Sequence, residues 1–244
     1  MNITSKTQSI AGATRAQDGL RAMAPYLSAV VIVLAGLAAY HNSFSGPFVF
    51  DDQQSILENP TIRHLQDIGR VLAADTGNGA GVRGRPLINL SLAVNYAFGG
   101  TDVRGYHAFN LAVHMLSALL LFGIVRRTVA RLGVGGNVGR GRPPAAGLRR
   151  ADRTPLQDAG MAASGDAALQ LDGTLLALAV ALLWTVHPLQ TETVTCVIQR
   201  TELLMGFFYL LTLYLFLRGV ASVRPARWQA LTVAACLAGM ACKE

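Results

Sequence analysis

The run from Pro25 to Tyr40, "PYLSAVVIVLAGLAAY", contains no charged residue. A helix that packs on a soluble core keeps one polar face, and this one has none to offer water. Similar runs recur at 106–125, 173–186, 203–217 and 228–241, all nearly free of charge. A bilayer core takes roughly 20 mostly apolar residues per helical crossing. The pattern therefore predicts an all-α integral membrane protein with about five transmembrane helices.

Composition agrees. Apolar residues make up 52% and charged residues only 14% of the 244-residue chain. Mean hydropathy is +0.38. The net charge of +7 comes almost wholly from arginine, since lysine occurs only at Lys6 and Lys243. The arginines crowd between the apolar runs without interleaved aromatics, which argues for a topology signal and against nucleic-acid binding. Cys196, Cys236 and Cys242 show no metal-type spacing, and the last two, in an apolar run, read as small packing residues. The first 25 residues lack a signal-peptide core, so the first apolar run is expected to stay as an anchor.

The same reading divides the chain. Residues 1–24 form a polar cytoplasmic tail, expected to be disordered. Residues 25–125 hold the first helix pair, joined by an outer loop at 41–105. Two amphipathic stretches in that loop, Pro60–Ala74 and the segment after Pro86, are expected to lie along the membrane surface. A Gly-rich turn separates them at 77–84. Residues 126–172, rich in Arg, Gly, Ala and Pro, read as a flexible cytoplasmic loop. Residues 173–244 carry helices three to five, cut short at Glu244. With the N-terminus in the cytoplasm, 14 of the 21 Lys and Arg residues fall on the cytoplasmic side, as the charge bias requires. That orientation puts "FDD", "HPLQTETV" and "CKE" together on the outer side.

Those three motifs hold the polar residues that need a reason. Asp51 and Asp52 follow "PFVF" past the outer end of the first run. By spacing alone they read as solvated loop acids. The chemical reading is a carboxylate pair with one raised pKa, able to act as general base toward a hydroxyl. His107, Asn110 and His114, at i, i+3 and i+7, share one helix face and should turn inward to a bundle or a wet cavity. His107 and His114 are two turns apart, too far to ligate one zinc unaided, and no spacing in the chain supports a divalent metal. His187, Glu192, Arg200 and Glu202 cluster between the third and fourth runs. They read either as an interfacial ion-pair network of little energetic weight or, through Arg200, as a bidentate phosphate site. Lys243 could meet a lipid phosphate or snorkel, with Glu244 beside it.

Taken in order, "FSGPFVFDDQQSILENP" (44–60), "RPL" (85–87), "HAFNLAVHMLSALLLF" (107–122), "HPLQTETVTCVIQRTELL" (187–204) and "KE" (243–244) resemble the transmembrane and tetratricopeptide-repeat (TMTC-like) proteins. These belong to the GT-C class of polytopic glycosyltransferases, similar to protein O-mannosyltransferases. The resemblance covers most of residues 25–244. It implies an N-terminal GT-C-like module, a polyprenyl-phosphate sugar as donor and a protein or glycan hydroxyl as acceptor. It also implies transfer on the lumenal or periplasmic face. An acid of the first outer loop would serve as base, matching Asp51 or Asp52; the aromatic residue before it favours Asp51. Arg85, His107, His187, Glu192, Arg200, Glu202, Lys243 and Glu244 fall in the matched motifs as substrate-binding candidates, Arg200 and Lys243 toward the donor phosphate. No cofactor is implied. Family members usually carry more spans after "KE" and often a helical repeat domain, so the chain is expected to be an N-terminal fragment. A non-catalytic scaffold normally fused to such repeats is the alternative, and a transporter ranks third. The expected location is a bacterial inner membrane rather than the endoplasmic reticulum.

Overall fold

A computed structural model describes residues 3–74, 81–132 and 173–243. All regular structure among them is helical. The helices are α1 (Ile3–Tyr40), α2 (Ile68–Ala73), α3 (Pro86–Gly99) and α4 (Val103–Leu132). They continue with α5 (Gly173–Thr185), α6 (Gln190–Thr195), α7 (Arg200–Val220) and α8 (Pro225–Met240).

Among the described residues three helices are long and apolar enough to cross a membrane: Gly19–Ser45, Val103–Leu132 and Arg200–Val220. They contain the first, second and fourth expected spans. The third and fifth fall short among the described residues. α8 has 16 residues, about 24 Å of helix against a hydrocarbon core of about 30 Å, and α5 is also below spanning length. The polar tail expected to be disordered is also different in backbone: α1 begins at Ile3 and carries Pro25 inside it. The segment 126–132 continues α4 instead of opening a loop. The rest of the expected basic loop, and most of the Gly-rich turn, lie outside the described residues.

The chain divides into two compact units, Met1–Val31 with Val125–Val180, and Ile32–Ile124 with Ala181–Glu244. In the first, Ser28 Oγ donates to Ala24 O at 2.8 Å, and a Cβ at Gly173 would stand 3.1 Å from Val129 Cγ1. The second carries all the outer-loop motifs. Its helices approach at small residues: a Cβ at Gly36 would run into the Met115 thioether, one at Gly123 would stand 2.9 Å from Tyr214, and one at Gly239 would stand 3.2 Å from Phe208. Small residues at such crossings let membrane helices come into dispersion contact.

The outer loop folds on itself. Asn59 caps the turn Pro60–Ile62 by accepting from Thr61 N, and Asp67 caps α2 by accepting from Arg70 N. Pro86 opens α3, where a missing N–H costs nothing. Ile62, Val71, Ile88 and Leu92 then meet in one core with no exposed surface. Asn59 and Asn89 join across it at 3.0 Å, and Asn89 also donates to Val71 O at 2.7 Å. These four side chains of the amphipathic stretches are covered by protein, while Ile68 and Leu72 of the same stretches stay exposed. Phe98, 90% exposed, is an α3 residue that stays outside.

Candidate functional site

The turn Val49–Asp52 presents the acid pair. Val49 N donates to Asp52 Oδ2 and Asp52 N returns the bond to Val49 O, each at 3.0 Å. Gln53 N donates to Phe50 O at 3.2 Å and Ser55 N to Asp51 O at 3.0 Å. The second oxygen of Asp52, Oδ1, accepts from Ile198 N at 2.8 Å. Asp52 is therefore a latch between the first outer loop and the segment before α7, with 1% of its surface exposed. Burial pushes its carboxyl above the usual aspartate range, against the backbone N–H groups and the nearby His107, which pull it down. Asp51 beside it is exposed. The two acids occupy different environments, and only Asp51 has a carboxylate open to a ligand.

The inward face of α4 forms the next layer. His107 Nε2 donates to Gly46 O at 3.1 Å, tying α4 to the chain just past α1. His114 Nε2 donates to Thr185 O at 3.0 Å, stacks on Trp184 at 4.6 Å and meets the Tyr40 ring edge-on at 5.5 Å. Asn110 Nδ2 donates to the carbonyls of Cys196 and Val197 at 3.3 Å. The face predicted from spacing is thus real, and all three side chains are buried. Both Nδ1 atoms of the histidines are buried without a hydrogen-bond partner among the described residues.

Arg200 lies beneath this layer, not at a mouth. It is fully buried. Its Nε donates to Asn110 Oδ1 at 2.9 Å, Nη1 to Ser91 Oγ at 3.3 Å and Nη2 to Tyr106 O at 3.2 Å. Its guanidinium carbon sits 4.2 Å from the Phe109 ring centroid. Each nitrogen makes one bond to a neutral group of the chain, and the guanidinium has no exposed surface in this arrangement. Lys243 does stand at the surface, paired with Glu202 and about two-fifths exposed, as Glu202 is.

The remaining candidates spread out. Arg85 donates to Gly81 O within its own loop. Exposed His187 accepts from Leu189 N at 3.2 Å, and exposed Glu192 accepts from Gln199 Nε2 at 3.3 Å. Glu244 lies outside the described residues. Direct bonds therefore bring together Asp52 with the 198 segment, His107 with Gly46, and Lys243 with Glu202. Among the described residues no group of three or more His, Cys, Asp or Glu could hold a metal. A cleft of about 380 Å³ lies between α7 and α8, lined by Phe216, Val220, Pro225 and Gln229 near their connecting turn. It is at the far end of α7 from the acids.

Sequence reasoning overlooked Ser91, which holds Arg200, and used Phe50 only as the aromatic that aligns the acid pair. Phe50 stands at φ 50 and is 91% exposed. The only sequence signal for it was its place directly before the acid pair.

Among curated proteins, the chain is 32% identical over 231 residues to protein O-mannosyl-transferase Tmtc3 of Drosophila melanogaster, covering 89% of this chain and 22% of that protein. It is 27% identical over 226 residues to Tmtc1 of the same organism, covering 86% and 21%. It is 26% identical over 195 residues to TMTC4 of Mus musculus, covering 77% and 22%. No protein-family model and no solved structure matches. The chain is a homologue of these TMTC protein O-mannosyl-transferases over most of its own length, and spans about a fifth of theirs.

Proposed function

From this homology, we propose that the chain forms part of a membrane glycosyltransferase of the GT-C type. The enzyme would move a sugar from a polyprenyl-phosphate donor to a hydroxyl of a protein acceptor, on the lumenal or periplasmic face. The observation that carries the reading is the difference between the two acids: Asp52 is buried and latched, while Asp51 is held exposed on the same turn.

In the proposed step, the Asp51 carboxylate takes the proton of the acceptor hydroxyl. The acceptor oxygen bonds the anomeric carbon as the bond from that carbon to the phosphate oxygen breaks. The phosphate leaves with the electron pair, and charge stabilisation serves it more than protonation does. Lys243, steadied by Glu202, is a partly exposed cation at this end. Arg200 acts at one remove, by holding Asn110 and with it the segment that carries Ile198. The relatives are animal proteins, so they give no support to a bacterial inner membrane, and the proposal names a membrane face and no organelle.

The test is sugar transfer by the full-length protein carrying Asp51→Asn. Loss of about 10²-fold or more, with expression and membrane insertion intact, is expected for removal of a general base. Unchanged transfer would sink the reading.

A further inference from the structure

Phe50 joins a strained backbone to an exposed aromatic side chain. Its φ of 50 lies in the left-handed region, where an L side chain crowds its own backbone. The residue is 91% exposed, so no burial of apolar surface offsets that strain. Ala74 shares the positive φ but is small, buried and set at the end of α2. Glycine would make the Phe50 turn without strain. The strain is nonetheless held in place from both sides, by the paired Val49–Asp52 bonds and by the bond from Gln53 N to Phe50 O. Backbone strain kept where the surroundings over-determine it concentrates at functional sites.

The neighbours of the ring decide what it meets. A bilayer that took up the Phe50 ring would crowd the exposed carboxylate of Asp51 one residue on, which lipid disfavours. A donor phosphate would meet the like-charged, exposed carboxylate of Asp51. A neutral polypeptide bearing a hydroxyl suits both groups: its hydroxyl meets Asp51 and its apolar atoms lie on the ring. We propose that Phe50 is an acceptor-binding residue, a platform for the polypeptide whose hydroxyl Asp51 receives; this rests on the glycosyltransferase reading above.

The experiment uses the full-length protein in nanodiscs with p-benzoylphenylalanine in place of Phe50. It is irradiated with a biotinylated threonine-rich peptide carrying apolar residues. Capture of that peptide, competed by unlabelled peptide, is expected with or without Asp51→Asn. Capture of phospholipid, capture of another segment of the same chain, or no adduct each overturns the proposal. In transfer assays, Phe50→Gly should raise the KM for the acceptor about tenfold, the scale of one aromatic contact. The KM for the donor should hold, and the thermal midpoint should stay level or rise as the strain is relieved. A lower midpoint with an unchanged acceptor KM would instead mark a packing role and overturn it. If Asp51→Asn transfers normally while the peptide is still captured at position 50, the base assignment fails and the acceptor contact stands.

Discussion

Asp52 places a carboxylate where water does not reach it and spends both oxygens on backbone N–H groups. Two consequences can be measured. Asp52→Asn keeps one carbonyl oxygen but turns an NH2 toward one of the two donors, so a buried N–H loses its acceptor. A loss of about 1–3 kcal/mol is expected from thermal or chemical denaturation in detergent. The second concerns pH. Burial raises the Asp52 carboxyl above its ordinary value, so the folded state binds that proton more tightly than the unfolded chain does. The resulting stabilisation is fully present below the ordinary aspartate value and is lost as pH rises through the raised one. The wild-type midpoint should therefore fall relative to Asp52→Asn across that window. Parallel pH profiles for the two proteins would show the proton is not coupled to folding. Arg200 gives a companion case. Its three nitrogens reach an amide, a hydroxyl and a carbonyl in fixed directions, and a lysine ammonium has no such fork. Arg200→Lys should destabilise on the same scale as loss of a buried partner.

At the scale of the helices, close approach at glycine sets what can change. The Cβ positions of Gly36 and Gly123 are both occupied, but by unlike neighbours. Gly36 faces the flexible thioether end of Met115, and Gly123 faces the Tyr214 ring. Gly36→Ala should be absorbed by a rotation of the methionine. Gly123→Leu must push a ring or part the helices, at a cost of about 1–3 kcal/mol. Equal losses of thermal midpoint would contradict this account of the crossings. The same contacts show what periodicity can and cannot reveal. The spacing of His107, Asn110 and His114 gave one inward face, because polar groups on an apolar helix have few places to go. The apolar faces of 60–74 and 86–99 were legible as faces, but a hydrophobic stripe does not state whether lipid or protein will cover it. Here Ile62, Val71, Ile88 and Leu92 cover one another. Arg200 could not be read as buried, because its shelter comes from Ser91, Tyr106 and Asn110, about a hundred residues away in sequence. Phe50 was illegible for a different reason: backbone strain belongs to the fold and leaves no mark in residue type.

For the molecule as a whole, the deciding question is which face carries the acids. Within the Ile32–Ile124 and Ala181–Glu244 unit, hydrogen bonds gather one end. Gly46 lies with His107, Asp52 with Ile198, and Glu202 with Lys243. α7 leads away from that end for 21 residues, a rise of about 30 Å and enough to reach the opposite face of a bilayer. In its last turn and beyond it come Arg218, Arg224 and Arg227, the kind of cluster that marks a cytoplasmic loop. Val223 among them is fully exposed, and Gln53 and Thr191 are exposed at the acid end. These positions make the orientation measurable once Cys196, Cys236 and Cys242 are replaced by serine. In sealed vesicles whose cytoplasmic face is outward, Val223→Cys should react with a membrane-impermeant maleimide. Gln53→Cys and Thr191→Cys should react only after the membrane is opened. The reverse pattern would place the acids in the cytoplasm, away from any lumenal or periplasmic donor, and the proposed transfer would fail with it. Labelling of all three from the same side would show that α7 does not cross, and its apolar length would then need a different partner.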